Sequence, residues 1–173
     1  MRKIIFIGTL HAGLTPKSEL RKILCNLNPD QLFIEVQQSE INSDNLSGYP
    51  EEMVFALKWA RKNRILVRGF DVDIDVLKDP KNKNNNLLVL KKQKKIVKKH
   101  SWKDFNKDKY NELLNFAEAN NLIDWQKWKL REKAMSSNIK RDMIKSGIIV
   151  IFTGTGHLSF FEKKFDKAEF PLR

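Results

Sequence analysis

Residues 148–157 read Ile-Ile-Val-Ile-Phe-Thr-Gly-Thr-Gly-His, a run of large apolar residues closed by two glycines and a histidine. A short apolar run that is rich in β-branched residues and ends at glycine is typical of a buried strand, so this stretch predicts a strand over 148–153. Residues 3–11 read Lys-Ile-Ile-Phe-Ile-Gly-Thr-Leu-His and predict a second such strand over 3–7. Both strands are therefore followed by the same local pattern, Gly-x-x-His.

The chain between these two strands alternates between the strand period and the helix period. Two further strands are predicted over 31–36 and 64–70. Apolar stripes and capping residues predict helices after Thr15, from Pro50, from Asp124 to Gly147 and over 158–165. Strands that alternate with helices need crossover connections, which favour a parallel sheet. We therefore expect an α/β fold with a mostly parallel central sheet flanked by helices.

The length of 173 residues, 41% of them apolar, suits a single domain over 1–173 with its own core. A polar linker at Asp79–Pro80 precedes a Lys-rich helical insertion over 81–120, with a second helix near 104–119. Residues 81–110 hold eleven lysines against two aspartates and thus carry nine of the twelve net positive charges. Such a helix is more often a solvated face than a nucleic-acid surface. We expect residues 81–100 to be dispensable for folding unless their apolar residues cover the core.

Neither a signal peptide nor a membrane span is predicted. The apolar run before Gly8 is too short for a signal sequence, and the longest one elsewhere, over 147–152, is too short to span a bilayer. We expect a cytoplasmic protein without a membrane partner. Cys25 is the only cysteine, so no intramolecular disulfide can form, and its position in the first predicted helix indicates a buried thiol.

Four unusual polar residues fall at or just past the ends of the four predicted strands. They are His11, Glu35, Asp71 and His157. The carboxyl ends of parallel strands meet at one edge of a sheet, where open α/β sheets bind their ligands, so we expect these side chains to share one cleft. Structural roles stay open beside this one: a loop histidine, a core glutamate paired with an arginine, and a helix-capping aspartate.

Residues beside the histidines and on the long helix are candidates for substrate binding. Thr9, Thr155 and Gly156 supply hydroxyl and backbone N–H groups that can hold an oxyanion. Arg131 and Asn138 fall on one face of the long helix. An arginine in this position can pair with an acid at the surface, or it can reach the strand-two glutamate or a substrate anion with a bidentate guanidinium.

Five segments, taken in order, resemble the TraB/PrgY/Tiki family, within the broader superfamily of erythromycin esterase and ChaN. They read Ile-Gly-Thr-Leu-His (7–11), Asn-Pro-Asp-Gln-Leu-Phe-Ile-Glu-Val (28–36), Arg-Gly-Phe-Asp-Val-Asp-Ile (68–74), Arg-Glu-Lys-Ala-Met-Ser (131–136) and Gly-Thr-Gly-His-Leu (154–158). The resemblance implies an α/β fold and an active centre of His11, Glu35 and His157, with Arg131 and Asp71 as additional polar members. Tiki-like proteins are associated with metal-dependent proteolysis, and the erythromycin-esterase branch with metal-free hydrolysis that uses a histidine base. The resemblance therefore implies hydrolysis by one of these two routes.

Together these residues predict a hydrolase of amide or ester bonds in a peptide-like or small-molecule substrate. In one version His11, His157 and Glu35 hold a divalent metal ion, Mn, Co or Zn, that activates water. In the other, one histidine accepts the proton of water, Glu35 orients the water, and Arg131 or the backbone at 155–156 stabilises the oxyanion. Two alternatives are a non-catalytic protein that binds a peptide or haem in the same cleft, and a nucleic-acid-associated module that uses the Lys-rich helix.

Overall fold

The structure is a computed structural model that describes residues 1–76, 83–107 and 109–172, and their side chains except those of 83–86. Within these ranges four parallel strands form one sheet: β1 (Arg2–Thr9), β2 (Gln31–Gln37), β3 (Leu66–Asp71) and β4 (Gly147–Gly154). Their spatial order is β1-β4-β2-β3. The prediction of an α/β fold with a parallel sheet is confirmed. The predicted linker at Asp79–Pro80 lies outside the described residues.

The strand ends that carry the polar residues are aligned by the pairing register. β1 and β4 pair along their full length, which places Thr9 opposite Gly154. β2 pairs with β4 up to Ile34. Between Ile34 and Gln37 the register of β2 against β3 shifts, and Glu35 lies inside this irregular stretch. Bulges of this kind redirect a side chain next to a functional site, and here the irregular stretch carries the glutamate at the edge where the strands end.

Seven α-helices are described around the sheet: α1 (Lys17–Leu27), α2 (Gln38–Ser43), α3 (Glu51–Lys62), α4 (Lys83–Val97), α5 (Lys109–Ala119), α6 (Trp125–Asp142) and α7 (Leu158–Lys164). Two 3₁₀ helices lie at Trp102–Asn106 and Thr155–His157. The single helix expected near 104–119 is thus divided into a 3₁₀ helix and α5. None of the described helices is both long and apolar enough to cross a bilayer.

Each face of the sheet is covered by its own set of helices. On one face, apolar residues of the strands pack with Leu20 and Leu24 of α1 and with Met53 and Leu57 of α3. The apolar stripe of α1 leaves its other side in solvent, and the prediction of a buried Cys25 is wrong because the thiol lies on that exposed side. On the opposite face, strand residues pack with residues of α6 and α7, which include Met135, Ile139 and Phe161.

Three residues of the Lys-rich insertion belong to the core. Ile96 of α4 and Trp102 and Phe105 of the following 3₁₀ helix are buried in the same cluster as α1 and α3. The side chain of Asn106 accepts a hydrogen bond from the N–H of Gly8 at 2.9 Å and donates one to the carbonyl oxygen of the same residue at 3.0 Å. The insertion therefore closes over the carboxyl end of β1, and this packing argues against the expectation that residues 81–100 are dispensable.

Candidate functional site

A cavity of about 350 Å³ lies at the carboxyl ends of β1, β2 and β4. Its polar wall includes the side chains of His11, Glu35, Arg131 and His157. Its other wall is mostly apolar and comes from the helices α4, α5 and α6 and the segments beside them. Three of the four side chains that the sequence placed at the strand ends, those of His11, Glu35 and His157, therefore meet in one cavity.

Glu35 is held by three hydrogen bonds. Its Oε2 accepts from the hydroxyl of Thr153 at 2.8 Å and from the N–H of Gly154 at 2.6 Å. Its Oε1 accepts from Arg131 at 3.2 Å and lies 3.6 Å from Nε2 of His157. Because both donors to Oε2 lie at the end of β4, this strand fixes the orientation of the carboxylate and leaves Oε1 facing the cationic side chains.

His11 is oriented by a glutamate of another element. Its Nδ1 lies 2.6 Å from Oε1 of Glu52, which is on α3 and is only 1% exposed. A carboxylate accepts hydrogen bonds only, so Nδ1 carries the hydrogen and Nε2 is turned toward the cavity. The Nε2 atom of His11 and the Oε2 atom of Glu35 lie 3.4 and 3.5 Å from the point where a Cβ on Gly154 would be. The two groups therefore lie on the same side of Gly154.

His157 shows the same arrangement. Its Nδ1 lies 3.1 Å from Oε1 of Glu132 on α6, and its Nε2 faces Glu35. The ring of Trp128 stacks on the imidazole, with the ring centres 4.6 Å apart. His157 is 3% exposed. The site thus contains two Glu–His pairs, and both present Nε2 atoms toward one central carboxylate.

Arg131 joins Glu35 to Asp71. Its Nε and one terminal nitrogen donate to the two carboxylate oxygens of Asp71 at 2.8 and 2.7 Å, and the same terminal nitrogen donates to Glu35. Planar two-point pairing of this kind fixes the guanidinium more firmly than a single bond does. Asp71 therefore positions Arg131, and Arg131 supplies the positive charge beside Glu35.

The surroundings of the buried carboxylate and the half-buried imidazole favour charged forms of both. Burial alone raises the pKa of Glu35, but the positive charges that His157, Arg131 and His11 carry when protonated, in this order of effect, lower it below its usual 4.5. Burial alone lowers the pKa of His11. The hydrogen bond with Glu52 and the negative charges of Glu35 and Glu52 outweigh this effect, so the pKa of His11 lies above 6.5.

A metal ion held by His11, Glu35 and His157 was one of the two predicted versions of the site. Both oxygens of Glu35 already accept hydrogen bonds, and the guanidinium of Arg131 at Oε1 opposes a second cation there. Within the described parts of the chain, no group of three or more His, Cys, Asp or Glu side chains is arranged to hold a metal ion. As arranged, these donors do not fit a three-ligand centre. The metal ion stays a prediction, and no step below depends on it.

Tyr110 of α5 brings the insertion into the site. It lines the cavity, and its hydroxyl lies where a Cβ on Gly156 would be. Burial raises the pKa of Tyr110 above 10, and the charges of Glu35 and Glu132 raise it further. The phenol is therefore protonated at neutral pH and can donate a hydrogen bond into the cavity.

The predicted substrate-binding residues divide into two groups. Three of them line the cavity: Thr9, Thr155 and Gly156. Asn138 does not, because its side chain donates to the carbonyl oxygen of Phe70 at 3.1 Å and ties α6 to β3. Asp71 is also absent from the cavity wall, since its carboxylate is taken up by Arg131. Asn138 therefore acts on the site by holding α6 against β3, and Asp71 acts on it by holding Arg131.

Three residues of the site were not predicted from the sequence: Glu52, Glu132 and Tyr110. A signal for both glutamates was present, because Glu52 falls on the buried stripe of α3 that includes Ala56, and Glu132 on the buried stripe of α6 that includes Met135. A carboxylate on an apolar stripe needs a partner. No comparable signal marks Tyr110.

No protein-family model, curated protein or solved structure matches this chain. The resemblance to the TraB/PrgY/Tiki family therefore stays a prediction that rests on the five quoted segments and their order.

Proposed function

We propose that this chain hydrolyses an ester or amide bond of a small-molecule or peptide-like substrate without a metal ion. The observation that carries the proposal is the pair of Glu–His arrangements around Glu35. In each pair the carboxylate fixes the tautomer of the imidazole and leaves Nε2 for proton transfer, which is the arrangement that general acid–base catalysis requires.

His157 is the base in this proposal. Its Nε2 and the Oε1 of Glu35 lie 3.6 Å apart, so one water molecule beside both atoms can donate a hydrogen to each. The water oxygen attacks the carbonyl carbon while its proton passes to Nε2 of His157. Glu132 stabilises the imidazolium that forms, because its carboxylate is bonded to the opposite nitrogen.

His11 is the acid. The hydrogen bond with Glu52 and the charges of Glu35 and Glu52 outweigh burial and raise its pKa, so it holds a proton more readily than an ordinary histidine, and its side chain is 41% exposed, against 4% for His157. When the tetrahedral intermediate breaks down, the bond to the leaving oxygen or nitrogen is cleaved and that atom takes the proton from Nε2 of His11. Proton exchange with water then restores both imidazoles.

The negative charge that develops on the carbonyl oxygen is countered by Arg131 and by hydrogen-bond donors at the cavity wall. Arg131 is held by Asp71, so its charge is in place before the reaction begins. Tyr110 adds a phenolic O–H next to Gly156. These two donors lie on the helices α6 and α5.

Hydrolysis by chelator-treated protein tests the metal-free form of the proposal. Protein dialysed against EDTA is assayed with a panel of nitrophenyl esters and peptide amides, with and without added Mn²⁺, Co²⁺ or Zn²⁺. Full activity in EDTA supports the proposal. Activity that is lost in EDTA and restored by one metal ion assigns the site to a metal-dependent hydrolase. Binding of these compounds without turnover assigns it to a non-catalytic binding protein.

The contacts of two lysines in the Lys-rich insertion favour a structural role over a nucleic-acid surface. Lys92 pairs with Glu112 at 3.0 Å and lies over the ring of Phe116, so it ties α4 to α5. Lys103 pairs with Glu19 of α1 at 2.9 Å. Retention on DNA that falls steeply with salt concentration would argue for the nucleic-acid function instead.

A further inference from the structure

The cavity wall from α4 and α5 is mostly aliphatic, with Gln93 and Tyr110 as its polar members. Leu113, Leu114 and Ala117 of α5 contribute to it, together with Val89 of α4 and Ile123 before α6. Polar groups placed against such a wall lose their hydration without gaining hydrogen bonds in return. An apolar group gains by being buried there, at about 25 cal/mol for each Å² removed from water.

The two histidines differ in exposure, and this difference distinguishes a solvent-facing end of the cavity from a buried end. His11, the proposed acid, is the more exposed, and the leaving group that it protonates therefore departs toward solvent. His157, the proposed base, is buried under Trp128, which lines the same cavity as the aliphatic side chains. A substrate carbonyl placed at this base has its leaving group on the solvent side, so its acyl group extends into the apolar part.

The volume limits the size of that acyl group. A dry cavity of about 150 Å³ holds the six carbons of a benzene ring, so about 350 Å³ has room for roughly fourteen non-hydrogen atoms. The carbonyl oxygen, the attacking water and the part of the leaving group beside His11 take about six to eight of these positions, which leaves room for an acyl chain of about six to eight carbons.

We propose that the substrate is an ester or amide whose acyl group is a short apolar chain of about six to eight carbons, bound against α5. This inference rests on the proposed hydrolase function for its orientation. The apolar wall recognises the chain by burial, and the exposed end at His11 leaves the leaving group unspecified. Specificity thus resides in the acyl half of the substrate.

The apolar part of the cavity against α5, called the acyl chamber below, can be tested separately from catalysis by the binding of alkan-2-ones. A methyl ketone carries a carbonyl group but no leaving group. Affinity is measured by calorimetry on the full chain for ketones from acetone to 2-undecanone. We expect the dissociation constant to fall about fourfold for each added methylene, since burial of one methylene contributes about 0.8 kcal/mol. The fall should stop when the chain reaches about eight carbons. A dissociation constant that does not depend on chain length would overturn the inference.

Two variants of α5 change the chamber in opposite directions. Ala117→Phe fills it and should weaken 2-octanone binding at least tenfold while leaving acetone binding unchanged. Leu114→Ala enlarges it and should move the preferred length toward longer chains. Ala119→Phe, on the exposed side of the same helix, is the matched control and should bind like the wild type. If neither cavity variant changes the length preference, the chamber is not the acyl site.

Hydrolysis of nitrophenyl esters from acetate to decanoate, measured on the same proteins, separates this inference from the proposed function. Length-dependent ketone binding without hydrolysis of any ester leaves the apolar site standing and overturns the hydrolase. Hydrolysis with equal efficiency for acetate and octanoate leaves the hydrolase standing and overturns the acyl specificity.

Discussion

The hydroxyl of Tyr110 lies in the space that a Cβ atom on Gly156 would occupy. The ring of Trp128 lies close to the same point, at 3.1 Å. Gly156 does not have a positive φ, so it is required for the close approach of the tyrosine and not for its backbone conformation. This contact connects the Lys-rich insertion to the loop that carries His157.

Gly156→Ala should therefore displace Tyr110 and lower both stability and hydrolysis. We expect a loss of about 1 to 3 kcal/mol in the free energy of unfolding, as for other overpacked cores. Urea unfolding of Gly156→Ala, Tyr110→Ala and the double variant measures the coupling. The double variant should lose less than the sum of the single losses, because the clash needs both groups. Additive losses would show that the two residues do not compete for this space.

Glu52→Gln should lower the pKa of His11. The variant keeps the burial that lowers this pKa and removes the negative charge that raises it. The shift is measured by NMR titration of the His11 ring protons. Glu51→Gln is the matched control, since Glu51 is exposed on the same helix and pairs with Lys17, and it should leave the titration unchanged.

The pair of His11 and Glu52 also predicts that the stability of the protein depends on pH. The folded-state pKa of His11 lies above the unfolded value, so its contribution is complete below about pH 6.5 and is lost as the pH rises through the folded pKa. Glu52→Gln should therefore cost more stability at about pH 6 than at about pH 9. Urea unfolding at both pH values measures this difference. An equal cost at both would mean that the pair does not bind the proton more tightly in the folded state.

The lowered pKa of Glu35 predicts that stability depends on pH in the opposite sense in acid. Its folded-state pKa is lowered, so its contribution is present above about pH 4.5 and is lost as the pH falls toward the folded value. Between about pH 5 and pH 3, wild-type stability should fall more steeply than that of Glu35→Gln, which cannot titrate at this position. Parallel curves for the two proteins in urea unfolding would contradict the assignment.

Arg131→Met should be strongly destabilising, because it leaves two buried carboxylates without their cation. We expect a loss of about 3 to 5 kcal/mol. Adding Asp71→Asn should recover more of this loss than adding Glu35→Gln, since Asp71 forms two of the three bonds to the arginine. Arg141→Met removes an exposed pair on the same helix and should change the melting temperature little. Equal recovery by the two second substitutions would rule out Asp71 as the main partner.

Deletion of residues 81–100 should impair folding, since it removes the buried Ile96 and the contacts of Lys92 that tie α4 to α5. The loss of charge should not matter. A variant with glutamines at the exposed positions Lys94, Lys95, Lys98 and Lys99 should melt like the wild type. Circular dichroism melts of the two proteins test this, and a cooperative wild-type-like transition in the deletion would show that the segment is dispensable.

Features that depend on local sequence pattern were predicted correctly. Contacts between segments that are distant in the sequence were not. Strand alternation and the ends of apolar runs predicted the parallel sheet and brought His11, Glu35 and His157 to one edge. Glu52 was not predicted as the partner of His11, because an acid in the first turn of α3 is also what the helix dipole favours. Tyr110 reaches the site only through the fold of the insertion, and the linker and lysines before it indicated a peripheral segment.

Hydrolysis by Glu35 and its two histidines is tested most directly by the rate of ester hydrolysis by wild type and Glu35→Gln in EDTA at neutral pH. Circular dichroism melts of the same samples confirm that both are folded. We expect measurable wild-type hydrolysis of nitrophenyl hexanoate, at least about 100-fold slower in Glu35→Gln, as when a group that orients water for a general base is lost. Hydrolysis at the wild-type rate in the folded variant would contradict this role of Glu35.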